Sequence, residues 1–345
     1  MGGSLYGLGR LPRAEYLALE ARLRSDLDRM LGQHYQIPRY YRSKQDFGDV
    51  DVVVSEAAIT TTWSDLRDAL VAGLGLTRFQ RTGAVFSTVY QGFQVDYIVR
   101  PARYFESTCA FLDFNDLGNL LGKIFRRMNL KYGERGLQYV FRRADGNYTR
   151  DIDVSRDIQR ICSHLSLDVA HWETGFETLE EMYAWLVASP WFSVAPYRDP
   201  SRTTRTRARQ RPTIRRFLEW LDEEGIDTRV DYPPREACLP HIIAAFPEAG
   251  LPEILAAEAV RERQVAAVKE RFGGKRVMQL IPGLSGPQLG AFIKTFREGF
   301  ADFESEISSL APAEVDRRVL AHWEAFEGRS SGLGSGADPV EDDRD

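Results

Sequence analysis

The stretch KQDFGDVDVVVS, Lys44 to Ser55, places Asp49 and Asp51 one residue apart at the mouth of an apolar run, Val50 and Val52 to Val54. β-Branched residues in such a run read as a buried strand. On a strand, residues two apart share a face, so both carboxylates point the same way. Like charges held that close cost stability unless something cationic sits between them. A second apolar run, FQVDYIV at 93–99, carries one more isolated acid, Asp96, where an unpaired charge is expensive. Three carboxylates from two strands suit a pair of hard, oxygen-seeking ions such as Mg²⁺, or Mn²⁺ in its stead. The alternative is a solvated strand end, with Asp96 paired to an arginine.

Working outward, 11–32 shows apolar spacing of three and four and predicts a helix. TWSDLRDALVAGLG, opened by Thr or Ser and closed by Gly, predicts another. AVFSTVY and FQVDYIV flank Gln91-Gly92, a hairpin signal. Strand, helix, strand, strand in that order implies a mixed sheet with helices on one face. In FNDLGNLLGKIFRRMNLKYG, Leu117, Leu120, Leu121, Ile124, Phe125 and Met128 form one helical stripe. Asn115 is expected to cap its start and Gly133 to end it, with Asn119, Lys123 and Arg126 on another side. LQYVFRR and NYTRDIDV predict two further strands.

Beyond about residue 155 the pattern becomes helical. The longest predicted helix is SGPQLGAFIKTFREGFADFESEISSL, with Leu289, Phe292, Ile293, Phe296, Phe300, Phe303 and Ile307 in register. The expected class is therefore α+β: a mixed sheet with helices on one face, followed by a mostly α-helical domain. The expected organisation is a catalytic domain over 1–154 including the N-terminal helix, an α-helical acceptor-binding domain over 155–327, and a disordered acidic tail over 328–345.

Composition narrows the functional classes. The chain has 345 residues, 43% hydrophobic and 28% charged, as in soluble globular proteins. No run approaches the roughly 20 apolar residues of a membrane span, and the opening residues lack the apolar core of a secretory signal, so the expected location is the cytoplasm. Three cysteines, 109, 162 and 238, without a Cys-x-x-Cys pair argue against a disulfide framework or a cysteine zinc site. Net charge is −5, yet Arg198 to Arg216 carries eight arginines against one aspartate. Of these, Arg202, Arg205, Arg207, Arg209 and Arg211 are candidates to grip a phosphate backbone; a solvated linker is the alternative. DFG at 46–48 lacks the partner motifs of a kinase, and FGGKR lacks the spacing of a phosphate-binding loop.

GDVDVVV, followed about 45 residues later by VDYIV, resembles the DNA polymerase β-like nucleotidyltransferase superfamily. The likeness covers about 36–150, where VDYIVRPARYFESTCAFLDFNDLGNLLGKIFRRMNLKYGERGLQYVFR is similar to the palm of X-family polymerases. IPGLSGPQLGAFIKTF resembles helical regions of tRNA nucleotidyltransferases and poly(A) polymerases, but the Glu-Asp-x-x-Arg element of one class of CCA-adding enzymes is not apparent. The resemblance implies a two-metal nucleotidyltransferase with Asp49, Asp51 and Asp96 as catalytic metal ligands. It implies an NTP as donor and a nucleic-acid 3′ hydroxyl as acceptor, an RNA or tRNA end being favoured. An X-family-like DNA polymerase and a small-molecule or protein nucleotidyltransferase are the rivals. The superfamily's Gly-Ser pair, which grips the triphosphate, is replaced by Pro38-Arg39. Arg39, Arg42, Ser43 and Lys44 are the expected substitutes, with Asn115, Asn119 and Lys123 as further candidates to face the nucleotide, water being the alternative for the stripe of Asn119 and Lys123.

Overall fold

The computed structural model describes residues 5–58, 63–143, 146–199 and 211–332. Two compact units are present, residues 1–250 and 251–345.

In the first unit, strands β2 (Tyr35–Gln36), β4 (Val50–Ser55), β5 (Thr77–Thr82), β6 (Val85–Tyr90) and β7 (Phe93–Arg100) form one sheet. Its spatial order is β2-β4-β7-β6-β5. β4 and β7 are parallel, whereas β2–β4, β5–β6 and β6–β7 are antiparallel, so the sheet is mixed. The β6–β7 hairpin turns on Gln91 and Gly92, with φ of 49° and 82°. Positive φ at both positions matches the right-handed twist of the flanking strands.

One face of this sheet carries the core. Val50, Val52 and Val54 of β4, Val95, Tyr97 and Val99 of β7, and Phe86 and Tyr90 of β6 belong to a single apolar cluster. Helix α1 (Arg13–Leu31) supplies Tyr16, Leu19, Leu23, Leu27 and Leu31, and α2 (Trp63–Leu74) supplies Leu66 and Leu70. Steps of three and four along α1 keep its stripe on the sheet. Each buried leucine or valine contributes about 1.5–3 kcal/mol. Both helices thus lie on one face, and residues of opposite parity, Asp51 and Asp96 among them, belong to the other.

Two short strands, β1 (Leu11–Pro12) and β3 (Asp46–Phe47), pair beside this sheet. Helices α3 (Phe105–Leu112) and α4 (Leu117–Arg127) lead to an antiparallel sheet of β8 (Leu130–Gly133), β9 (Gly136–Arg142) and β10 (Tyr148–Ser155). Every member of the stripe Leu117 to Met128 is buried. Two expectations fail here. Asn115 is not the cap, since α4 begins after Asp116 and makes no side-chain cap bond; Asn115 instead has φ 61°. Gly133 closes a strand, because the helix has already ended at Arg127. Strand β5 was missed: TRFQRT is exposed throughout, so it has no buried face to give an alternating pattern.

Helices α5 (Ile158–His164), α6 (Val169–Thr174), α7 (Leu179–Val187) and α8 (Pro212–Glu223) follow, then one at Arg235–Ala245. They fall within the first compact unit, which ends at Gly250, whereas the expected division falls after 154. Residues of the segments that join these helices contact α4 and the turn before it: the Tyr197 hydroxyl donates to Leu120 O at 2.8 Å, and Phe176 packs edge-on to Phe114 at 4.8 Å.

The second unit is helical over its described residues: Leu251–Arg271, Gly274–Leu280, Gly286–Glu298, Phe303–Ser309 and Pro312–Gly332. The stripe from Leu289 to Ile307 does form its core, but the single long helix is broken. Asp302 caps a new helix by accepting from Ser305 N at 3.1 Å. The last helix runs to Gly332, so 328–332 of the expected disordered tail are helical. Residues 333–345 lie outside the described residues. No helix among the described residues is long and apolar enough to cross a membrane.

Candidate active site

The parallel pairing of β4 with β7 sets Asp51 directly opposite Asp96. Neighbouring strands lie about 4.8 Å apart, and residues so paired project from the same face. Asp49 precedes Asp51 by two residues, at the entry to β4. Across β6 the row continues with Ser87 opposite Asp96, and Gln80 of β5 opposite Ser87. A polar row therefore crosses strands whose opposite face carries Val, Phe and Tyr of the core.

The electrostatics of the row follow from this placement. Burial, then the negative charges of Asp49 and Asp96, push the Asp51 carboxyl up to about 7, while Lys44 pulls it down. Burial also raises Asp96, against hydrogen bonds from Ser87 and Gln94 that favour its charged form. Both Asp96 oxygens accept from Gln94 Nε2, each at 3.1 Å. Among the described residues, no group of three or more His, Cys, Asp or Glu side chains is arranged to hold a metal ion.

A cleft of about 630 Å³ opens at this end of the first unit. Asp49, Asp51, Lys44, Arg39, Asn115, Asn119 and Arg211 line it, joined by Arg10, Asp46, Asp116 and Arg215. Asp96 lies one strand behind Asp51 and is not in the wall. Lys44 is the best placed of the expected nucleotide-side groups. Its ammonium lies 4.3 Å from the centre of the Phe47 ring and 3.5 Å from Asn115 Oδ1. Burial pulls its pKa down, and attraction to Asp49 opposes that.

The other expected residues divide. Arg39 touches the cleft, but its guanidinium is taken up elsewhere. Its Nε donates to Asp113 Oδ2 at 2.8 Å, and Nη1 donates to Trp172 O at 3.2 Å and Glu173 O at 2.9 Å. It also lies 4.6 Å from the centre of the Phe114 ring and 4.1 Å from that of Trp172. Arg42 faces away, donating to Thr174 O at 2.5 Å and lying 3.5 Å from Glu177. Ser43 bonds through its backbone N–H to Glu177 O at 2.8 Å. Asn119 donates to Asp116 Oδ1 at 3.2 Å within the cleft. Lys123 is outside it, donating to Pro196 O at 2.9 Å. Arg211 bonds to Asp116 and so reaches the cleft from the start of α8. Arg202, Arg205, Arg207 and Arg209 lie outside the described residues.

Sequence reasoning missed Arg10, Asp46 and Asp116. Arg10 Nη2 donates to Asp46 Oδ1 at 2.7 Å, and this bond holds the Asp46 carboxyl below its usual range. Nothing in the local pattern around Arg10 announces that β1 will pair with β3. Asp116 did carry a signal, as an isolated acid at the mouth of an apolar helical stripe.

The sequence matches no family model and no curated protein. Among solved structures it is similar to polymerase beta of Leishmania infantum in a ternary gap complex, at 17% identity and a TM-score of 0.31. That likeness covers 39% of this chain and 52%, about half, of the other. A ternary P/T complex of the same polymerase gives 15% identity and a TM-score of 0.35, over 46% of this chain and 74% of that one.

Proposed function

We propose that the chain is a divalent-ion-dependent nucleotidyltransferase that moves NMP from an NTP to a nucleic-acid 3′ hydroxyl. The observation that carries this is the pairing of Asp51 with Asp96 in register, with Asp49 two residues before, beside a cleft holding Lys44. Carboxylates are the donors a hard cation prefers, and Asp51 is pushed up by burial and then by its neighbours' charge, although among the described residues no three such side chains are gathered as an ion site. Asp49, Asp51 and Asp96 would hold Mg²⁺ or Mn²⁺. When bound, such ions polarise phosphoryl oxygens and offset the charge that builds during transfer.

The chain's own groups do the rest. Lys44 and Asn115 stand where a triphosphate would lie against Asp49, and Arg10 adds a cation on the same wall. Walls that carry both signs suit an ion–polyphosphate complex better than a bare anion. The bond from the acceptor oxygen to Pα forms as the bond from Pα to the pyrophosphate oxygen breaks. Asp96, one strand behind Asp51, would complete the ion site used by the acceptor hydroxyl, whose proton leaves to solvent. Arg211, with the arginines at 202, 205, 207 and 209, would follow the acceptor backbone, and an RNA end is the favoured acceptor.

The test is incorporation of labelled NTPs or dNTPs with Mg²⁺ on an RNA lacking its 3′ end, on a primed DNA gap, and with no acceptor. Asp96→Asn should abolish transfer while circular dichroism stays that of the wild type. Wild-type transfer by that variant ends the reading. Preference for the gap assigns the DNA-polymerase rival, and labelled product without an acceptor assigns the small-molecule or protein rival.

A further inference from the structure

Three arginines from separate segments gather around one tyrosine. Tyr104 follows β7 in a short helical turn, Ala102–Tyr104, and is 8% exposed. The guanidinium carbons of Arg103, Arg135 and Arg156 lie 4.9, 5.1 and 5.6 Å from its ring centre. Arg135 stands between β8 and β9, and Arg156 between β10 and α5. Gly136 lets these two connections meet, since a Cβ there would come within 3.0 Å of Arg156 Cα.

Cations held this close cost stability unless anions offset them, and the protein supplies few. Asp153 accepts from Arg135 Nη2 at 2.8 Å, from Gln138 Nε2 at 2.9 Å and from the Tyr104 hydroxyl at 2.9 Å. Arg156 Nη1 donates to Arg103 O at 3.1 Å. Among the described residues, neither Arg103 nor Arg156 makes an ion pair. A groove of about 840 Å³ that Arg156 and Asp153 line also carries Glu106, Asp157 and Glu248. Asp157 caps α5 and Glu248 bonds to Arg160, which leaves three guanidiniums to two carboxylates, Asp153 and Glu106.

A guanidinium drawn to an aromatic ring uses none of its N–H groups in that attraction. Arg39 is the contrast, because its N–H groups are taken up by Asp113 and two carbonyls. Arg103 and Arg156 keep most of theirs, and such forked donors bind phosphate oxygens in pairs. We propose that Arg103, Arg135 and Arg156 form a phosphate-binding subsite for a nucleic-acid backbone. The subsite adjoins the cleft, since Glu134 lines the cleft wall and Arg135 is the next residue. It rests on the nucleotidyltransferase reading for the identity of the strand as acceptor, and gives that strand a hold apart from Arg211.

Fluorescence anisotropy on the full chain, with a labelled single-stranded RNA and no NTP, measures affinity against salt. Each phosphate contact on a single strand contributes about 0.7 to the fall of log K with log salt. Arg103→Gln and Arg156→Gln should each lower the slope by about that much and weaken binding about fivefold near 0.1 M salt. Arg229→Gln removes the same charge from a side chain that is 77% exposed and pairs with Asp227, and should leave the slope unchanged. A folded fraction that is constant with salt scales K without altering the slope, so a partly folded variant still reports. Unchanged slopes in both cluster variants, or an equal fall in Arg229→Gln, overturn the proposal, as does a wild type that binds no RNA. Pyrophosphate binding in calorimetry that Arg103→Gln abolishes, with the RNA slope unchanged, assigns the arginines to a free anion and overturns the strand. A chain whose slopes fall as expected but which transfers no nucleotide ends the functional reading and leaves the subsite standing.

Discussion

Asp51→Asn should make the ion-free protein more stable at neutral and alkaline pH, and the size of the gain follows from the site. The carboxyl is pushed from its ordinary 3.8 up to about 7 by burial and by Asp49 and Asp96. Because the folded pKa is the higher one, Asp51's contribution is intact below about pH 4 and is lost as pH rises through 7. A shift of about three pKa units is worth on the order of 4 kcal/mol once the group is fully charged. Asparagine cannot ionise, so the gap between variant and wild type should be near zero around pH 4 and reach a few kcal/mol near pH 8. Urea unfolding followed by tryptophan fluorescence across that range measures it. Excess Mg²⁺ near pH 8 should return most of the lost stability to the wild type and little to the variant, since an ion that binds only the folded chain stabilises it. If the variant is less stable than the wild type near pH 8 without ion, or if the gap does not grow with pH, the carboxylates are not an uncompensated cluster and the reasoning fails.

Two further outcomes test the frame around the site. Arg39→Met takes the cation from the Asp113 carboxylate, 2% exposed, leaving it only the backbone N–H of residue 39, and should cost about 3 kcal/mol, with Asp113→Asn in the same chain recovering part of the loss in thermal melts. Gly136→Ala should destabilise the β8–β9 hairpin, because φ is 81° and a Cβ there would come within 2.4 Å of Ser155 O; unchanged protection of the β9 amides in hydrogen exchange would contradict this.

What could be read from the sequence depended on whether a residue's partners are local. The stripe of α4 and the alternation of β4, β6 and β7 record a buried face in their own spacing, so the core came through. The neighbourhood of Asp51 and Asp96 was also expected, from two isolated acids in apolar strands, but not the parallel register that sets them directly opposite each other. Arg39 and Arg42 show the opposite failure. Their position before the first carboxylate suggests phosphate binding, whereas carbonyls at 172–174 claim both guanidiniums. Those carbonyls lie over 130 residues away, beyond the reach of any local pattern. The break near Gly299 was hidden for a related reason. The apolar stripe continues across it, since two short helices can present one face to the same core.

The displacement of Arg39 explains how Asn115 comes to face Lys44. Phe114 and Asn115 are consecutive residues with φ of 58° and 61°, a conformation that costs of order 1 kcal/mol or more at each non-glycine position. Such a turn persists only where its surroundings over-determine it, and Arg39 does so from three directions. Its carbonyl accepts from Phe114 N at 2.6 Å, its own N–H donates to Asp113 Oδ1 at 2.7 Å, and its guanidinium lies over the Phe114 ring. With the turn held, Asn115 projects into the cleft and reaches Lys44. A small residue at 39 could approach a phosphate and would keep the two backbone bonds, but it would take away the guanidinium that lies over the Phe114 ring. An arginine there holds the turn and leaves the anion to Lys44 and Asn115. The chain at 38–39 and the side chains at 44 and 115 are therefore two halves of one arrangement, and loss of the Arg39 clamp should weaken nucleotide binding through Asn115 although Arg39 itself donates only to protein oxygens.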